Sequence, residues 1–168
     1  MKKIFLTGKI GIGKSTIIKN VFEGESFKPG GFVTLPVIEE NVLRGFKIRD
    51  VATSEEAMIG YFDDNFLIHP VAEGFETVGV KSLENVLSND ARIVIMDELG
   101  FLENEAFNFK ERVFDVMKSK KAVIGCIKLE RNAFLDKVAD MATVIEVNTD
   151  NRDFLPEEIR RMINEEPL

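Results

Sequence analysis

Three features of the sequence predict an α/β fold with helices on both faces of a mainly parallel central sheet. From residue 92 onward, apolar runs alternate with amphipathic ones: strands over Arg92–Asp97, Ala122–Ile127 and Thr143–Val147, helices over Ala106–Lys118, Asn132–Ala139 and Pro156–Ile163. The runs RIVIMD and AVIGCI are almost wholly apolar, as strands buried on both faces must be. The N-terminal segment reads strand, glycine-rich loop, helix.

That segment is the most specific part of the chain. Lys3–Thr7 (KIFLT) is a short β-prone run, and Ser15–Phe22 carries apolar residues at helical spacing. Between them Gly8-Lys9-Ile10-Gly11-Ile12-Gly13-Lys14-Ser15-Thr16 spells a complete phosphate-binding loop, G-x-x-x-x-G-K-[ST]. Its glycines let the backbone turn tightly and aim successive N–H groups at phosphate oxygens. The helix beginning near Lys14 turns its positive dipole end to the same anion. Lys14 is placed to reach the β- and γ-phosphates, and the Ser15 hydroxyl to ligate Mg²⁺. A nucleoside triphosphate is the expected ligand.

The middle of the chain follows in order. Lys28-Pro29-Gly30-Gly31 reads as a turn and Phe32–Leu35 as a short strand. Asn41–Val51 alternates apolar and polar residues, which predicts a half-buried strand paired in a hairpin with its predecessor. Ser54–Phe62 is a helical candidate, followed by a loop at Asp63–Asn65 and by Gly74-Phe75-Glu76. Val80–Leu87 is a compact amphipathic helix. Pro156 suits the first turn of the last helix, and residues 165–168 are expected to fray.

With 168 residues the chain is expected to form a single domain over 1–168, with a core rich in its 14 phenylalanines. No apolar run approaches the roughly 20 residues of a membrane span. The chain enters a strand at once, so no signal peptide is expected. The single cysteine, Cys126, falls in a buried run and has no disulfide partner, which points to a cytoplasmic setting. A net charge of −7 argues against nucleic acid as the main ligand, because such binding runs on cationic surface. It is compatible with a monomer, and the sequence names no protein partner.

Arg92–Glu98 supplies the second half of the site. An acid at the carboxyl end of a buried central strand, Asp97, would face the phosphate loop and hold Mg²⁺ beside Ser15. Glu98 is then placed to orient a water in line with the γ-phosphorus. The competing reading makes Glu98 a surface residue of the following turn.

On these residues the chain resembles the small P-loop nucleoside-triphosphatase family of the thermophile type, over most of its length. Gly31-Phe32-Val33-Thr34 is similar to the family's GF-[YV]-T strand, and Arg44-Gly45-Phe46 to its R-GF segment. Asp97-Glu98-Leu99-Gly100 is similar to DE-[IL]-G, and Asn151-Arg152 with Leu155-Pro156 to the closing NR-x-x-LP. The resemblance implies a three-layer, RecA-like P-loop fold and Mg²⁺-dependent hydrolysis of ATP, GTP and other nucleotides with little base selectivity. It also implies that Asn151 and Arg152 lie near the base or ribose, where Arg152 could stack on any nucleobase; a surface arginine is the alternative. The chain departs from the pattern at Leu35-Pro36-Val37-Ile38 and at Lys128-Leu129-Glu130-Arg131. For a transition-state arginine supplied in cis, Arg131 is the first candidate and Arg44 the second, against a solvated role for each. His69 is given no role.

Hydrolysis is the expected activity, with Lys14, Glu98 and Arg131 as its catalytic set. A small-molecule or nucleotide kinase is the alternative, although residues 128–137 hold too little arginine for a closing lid. A nucleotide-dependent switch acting through a protein partner is the other. No N-K-x-D guanine-reading motif is present.

Overall fold

A computed structural model describes residues 1–24 and 28–164. Among these residues eight strands, numbered in chain order, form one sheet in the order β5-β4-β3-β2-β6-β7-β1-β8. Its parallel part consists of β1 (Lys3–Thr7), β2 (Gly30–Glu39), β6 (Ile93–Leu99), β7 (Ala122–Ile127) and β8 (Thr143–Glu146). Beyond β2 the sheet continues as an antiparallel wing of β3 (Val42–Asp50), β4 (Glu56–Phe62) and β5 (Ile68–Pro70). β7 stands between β1, which leads into the phosphate loop, and β6, which carries Asp97, in keeping with a RecA-like sheet.

The pleat sorts the apolar residues into two cores. Ile4 and Leu6 of β1, Ile93 and Ile95 of β6, and Ile124 of β7 face one side. There α1 (Lys14–Val21) contributes Ile17, Ile18 and Val21, and α6 (Leu155–Asn164) contributes Leu155 and Ile159. The alternate residues Phe5, Val94, Met96 and Val123 face the other side. A helical run covers that face: α2 (Ala72–Gly74) passes through a π-helical turn (Phe75–Gly79) into α3 (Val80–Ser88). α4 (Phe107–Lys118) and α5 (Ala133–Asp140) complete the layer. Period-2 strands meeting period-3.6 helices on both faces give the predicted three layers. The phenylalanine-rich part of the core is here, where Phe109 lies 5.3 Å from the Phe32 ring and 4.9 Å from Phe75.

The structure corrects the sequence reading in the middle of the chain. Ser54–Phe62 does not form a helix: Glu56–Phe62 is β4, paired with β3. Glu56 lies directly opposite Arg49 and bonds both Arg49 and Lys47, the latter at 2.6 Å. Cross-strand charge pairing and burial of Ile59 override the helical preference of Glu-Glu-Ala-Met. The Lys28–Gly31 turn is also shorter than read, since Gly30 and Gly31 already belong to β2. β2 runs on through Pro36 because beyond Val33 it has left β6 and only β3 lies beside it. Gly74-Phe75-Glu76, to which the sequence assigns no element, lies where α2 passes into the π-helical turn. The expected frayed end, 165–168, lies outside the described residues. Among the described residues, no helix is long and apolar enough to cross a membrane.

Candidate active site

The site is assembled at the carboxyl ends of β1, β6 and β7. β1 ends at Thr7, and the chain enters the phosphate loop through Gly8 at φ 138°. A β-carbon at Gly8 would lie 2.8 Å from the Val147 carbonyl oxygen, so the loop approaches the β8 edge only as glycine. Gly13, at φ 107° and ψ 17°, caps α1 in the left-handed region, and its carbonyl accepts from Ile17 N at 2.9 Å. The turn between them is closed by Ile12 N donating to Lys9 O at 3.3 Å. Lys14 Nζ donates to the carbonyls of Gly8, at 3.0 Å, and Lys9, at 3.1 Å, which holds its charge over the loop. Lys9, Gly11, Ser15 and Thr16 are exposed there, and Ile10 at the tip is 90% exposed.

β6 brings the acids. Between Met96 and Leu99 it advances three residues while β7 advances two, from Gly125 to Ile127. An irregularity of this kind re-aims side chains at a strand end. The Asp97–Glu98 peptide within it is cis. Asp97 is buried, and burial pushes its carboxyl above the ordinary value; hydrogen bonds from the Cys126 thiol and the Ser15 hydroxyl oppose the rise. Loop and strand-end acid thus meet through Ser15 and Asp97, a pair of hard oxygen donors. Such a pair fits a small divalent cation that takes its remaining ligands from water and phosphate.

Glu98 is half-buried, and its Oε1 is 2.8 Å from Lys128 Nζ. Its amide donates to Thr34 Oγ1 at 3.3 Å, which ties it to β2. A cleft of about 440 Å³ is bounded by Gly8, Lys9, Lys14, Glu98 and Lys128, with Ile10 and Phe101 at its rim. Lys14 and Glu98 therefore face one space large enough for a phosphate chain.

None of the remaining sequence-derived candidates, Asn151, Arg152, Arg131 and Arg44, is among the residues that line that cleft. Asn151 is fixed beyond β8: its Nδ2 donates to Glu146 O at 2.8 Å and its Oδ1 accepts from Asn148 N at 2.9 Å. This loop follows Val147, whose amide donates to Thr7 O at 2.8 Å and whose carbonyl lies against Gly8. Arg152 is exposed, 3.6 Å from Asp153. Arg131 is exposed in the connection to α5 and is not among the residues that bound the cleft. Arg44 sits far out on the β2–β3 hairpin, 3.8 Å from Glu39. The cation beside Glu98 is Lys128, which the sequence reading noted only as a departure from a pattern. Its position directly after a buried strand that ends beside β6 was the available signal. His69 bonds Asp63 at 2.8 Å and stacks on Tyr61, a structural role.

A family model described as NTPase matches residues 3–160. The nucleoside-triphosphatase THEP1 of Methanocaldococcus jannaschii is 33% identical, over 96% of this chain and 96% of that protein. That of Thermotoga petrophila is 34% identical, over 94% and 90%. Among solved structures, THEP1 from the hyperthermophile Aquifex aeolicus superposes with a TM-score of 0.82 at 24% identity, covering 97% of this chain and 99% of that one. A human cancer-related nucleoside triphosphatase, solved in solution, gives 0.80 at 19% identity over the whole of both chains. Both structures share the fold described above.

Proposed function

The chain belongs to the NTPase family, and from that membership we propose that it hydrolyses nucleoside 5′-triphosphates to the diphosphate and orthophosphate. The observation that carries this reading is the placement of Lys14 and Glu98 on one cleft, with the Ser15 hydroxyl close to Asp97 beside them. The phosphate loop binds the chain of phosphates through its N–H groups and the Lys14 ammonium, which exchanges the carbonyls of Gly8 and Lys9 for phosphate oxygens. Ser15 and Asp97 would hold Mg²⁺, which, when bound, supplies charge to the β- and γ-phosphate oxygens.

Glu98 orients the attacking water and takes its proton. Lys128 fixes the carboxylate through Oε1 and adds a positive charge near the transferred phosphoryl group. Lys128 thereby takes over in this proposal the place offered to Arg131, which lies outside the cleft. Asn151 and Arg152 flank the nucleoside end. Arg152 offers a planar cation on which any base stacks, so base selectivity is broad.

Phosphate release from ATP, GTP, CTP and UTP, with Mg²⁺ and with excess chelator, tests the proposal. Release from all four at rates within about tenfold of one another, abolished by the chelator, is expected. Release from a single nucleotide, or release indifferent to the chelator, would contradict it.

A further inference from the structure

A second hollow, of about 330 Å³, adjoins the phosphate cleft and has no part in hydrolysis by water. It lies over the antiparallel wing, between β2, β3 and β4 and the segment that follows β6. Four phenylalanines, Phe46, Phe62, Phe75 and Phe101, make most of its wall, with Ile59 and Leu102. Ile10, Glu98, Phe101 and Lys128 line both spaces, so the hollow opens onto the cleft at the carboxylate that faces the terminal phosphate.

The order of the sheet gives the direction. In the nucleotide site proposed above the nucleoside end lies by β8 and the phosphates run over β1 toward β6, while the hollow lies past β6, over β2 to β4. Whatever occupies it therefore meets the terminal phosphoryl group and not the base. Its charge selects the occupant. Glu98 already holds the Lys128 ammonium at 2.8 Å, and the buried Glu103 carboxyl is engaged by Gly100 N, so the lining leaves no unpaired cation for an anion. A phosphorylated or carboxylated molecule finds no unpaired cation there, while an apolar ring with a hydroxyl is matched by the walls and by the Thr34 and Glu98 oxygens. The volume is at the small end for ligand pockets, which suits one or two rings. A site for water alone needs no such aromatic recess beside its carboxylate.

We infer that this hollow binds a small, uncharged aromatic or apolar alcohol and presents its hydroxyl to the γ-phosphoryl group. The inference rests on the nucleotide site proposed above. The hydroxyl oxygen bonds to the γ-phosphorus as the bond from phosphorus to the β–γ bridging oxygen breaks. The hydroxyl proton passes to Glu98, and the products are a nucleoside diphosphate and a phosphomonoester. Hydrolysis is then the reaction of the same site when water stands in the acceptor's place.

Benzyl alcohol and 3-pyridinemethanol, titrated into reactions with Mg²⁺ and γ-labelled ATP, serve as acceptor probes, and the ratio of labelled ester to labelled orthophosphate is the readout. The expected result is an ester whose yield saturates with at least one alcohol. The ratio should fall by about tenfold or more in Ile68→Trp, which fills the hollow from the exposed β5 edge, and in Phe62→Ala. The ratio is internal to each reaction, so partial unfolding lowers both products alike. Orthophosphate without ester from either alcohol overturns this inference and leaves hydrolysis standing. An ester formed equally well by both variants overturns the pocket as its source. Release of label to neither acceptor overturns the nucleotide site itself, and this inference with it.

Discussion

At the scale of single residues, the site divides into a part that binds and a part that reacts. In the proposed mechanism Lys14 belongs to both, because its ammonium offsets phosphate charge in the ground state and in the transition state. Lys14→Ala should weaken binding of a fluorescent ATP analogue by at least about tenfold and abolish phosphate release. Unchanged affinity in that variant would remove the phosphate-loop argument. Lys128 holds Glu98 without reaching into the loop, so its loss should act on turnover. Lys128→Met is expected to lower kcat about tenfold with KM little changed, a split that steady-state kinetics resolves. The loop residues and Asp97-Glu98 were legible in the sequence because each is a contiguous motif with a fixed chemical task. Lys128 was not, because its relation to Glu98 exists only once β7 lies beside β6.

Among the elements, the segment after β6 is the most informative. Glu103 is buried there and accepts from Gly100 N at 2.5 Å, which pins the turn bearing Phe101 and Leu102. Burial raises its pKa from 4.5 to about 7, opposed by that backbone hydrogen bond. The folded protein therefore holds the proton more tightly than the unfolded chain does between those values. The stability this contributes is full below about pH 4.5 and is lost as pH rises through about 7. The loss amounts to roughly 3 kcal/mol at most. Urea unfolding should show wild type losing stability over this range relative to Glu103→Gln, whose amide oxygen keeps the Gly100 contact. Parallel pH profiles for the two proteins would contradict the assignment. The same scale explains the misread β4. Its local composition favours a helix, whereas the basic residues that hold it as a strand, Lys47 and Arg49, come from β3. Lys81, on α3, adds an ion pair to Glu55 just before the strand.

In the whole molecule, the two cores fix the relative positions of loop, acids and hollow. The regular second half, from Ile93 to α6, was legible because its strands are apolar throughout and its helices are evenly punctuated. The first half beyond α1 was less so. An antiparallel wing with one exposed face carries mixed periods, and two of its boundaries depend on where β2 parts from β6. Phe109 joins the layers, packing on Phe32 of β2 and Phe75 of the π-helical turn. Phe109→Ala should cost about 3–5 kcal/mol, seen as a lower urea midpoint. A loss under about 1 kcal/mol would mean that the wing is held chiefly by its strand pairing.

The central claim is that Glu98 positions and deprotonates the nucleophile on a triphosphate already bound by the loop. Phosphate release by Glu98→Gln, measured beside its affinity for Mg²⁺·ATP, tests this most directly. Affinity within about twofold of wild type, with kcat reduced on the order of 10² or more, is the predicted result. Normal release by that variant would place the reacting group elsewhere.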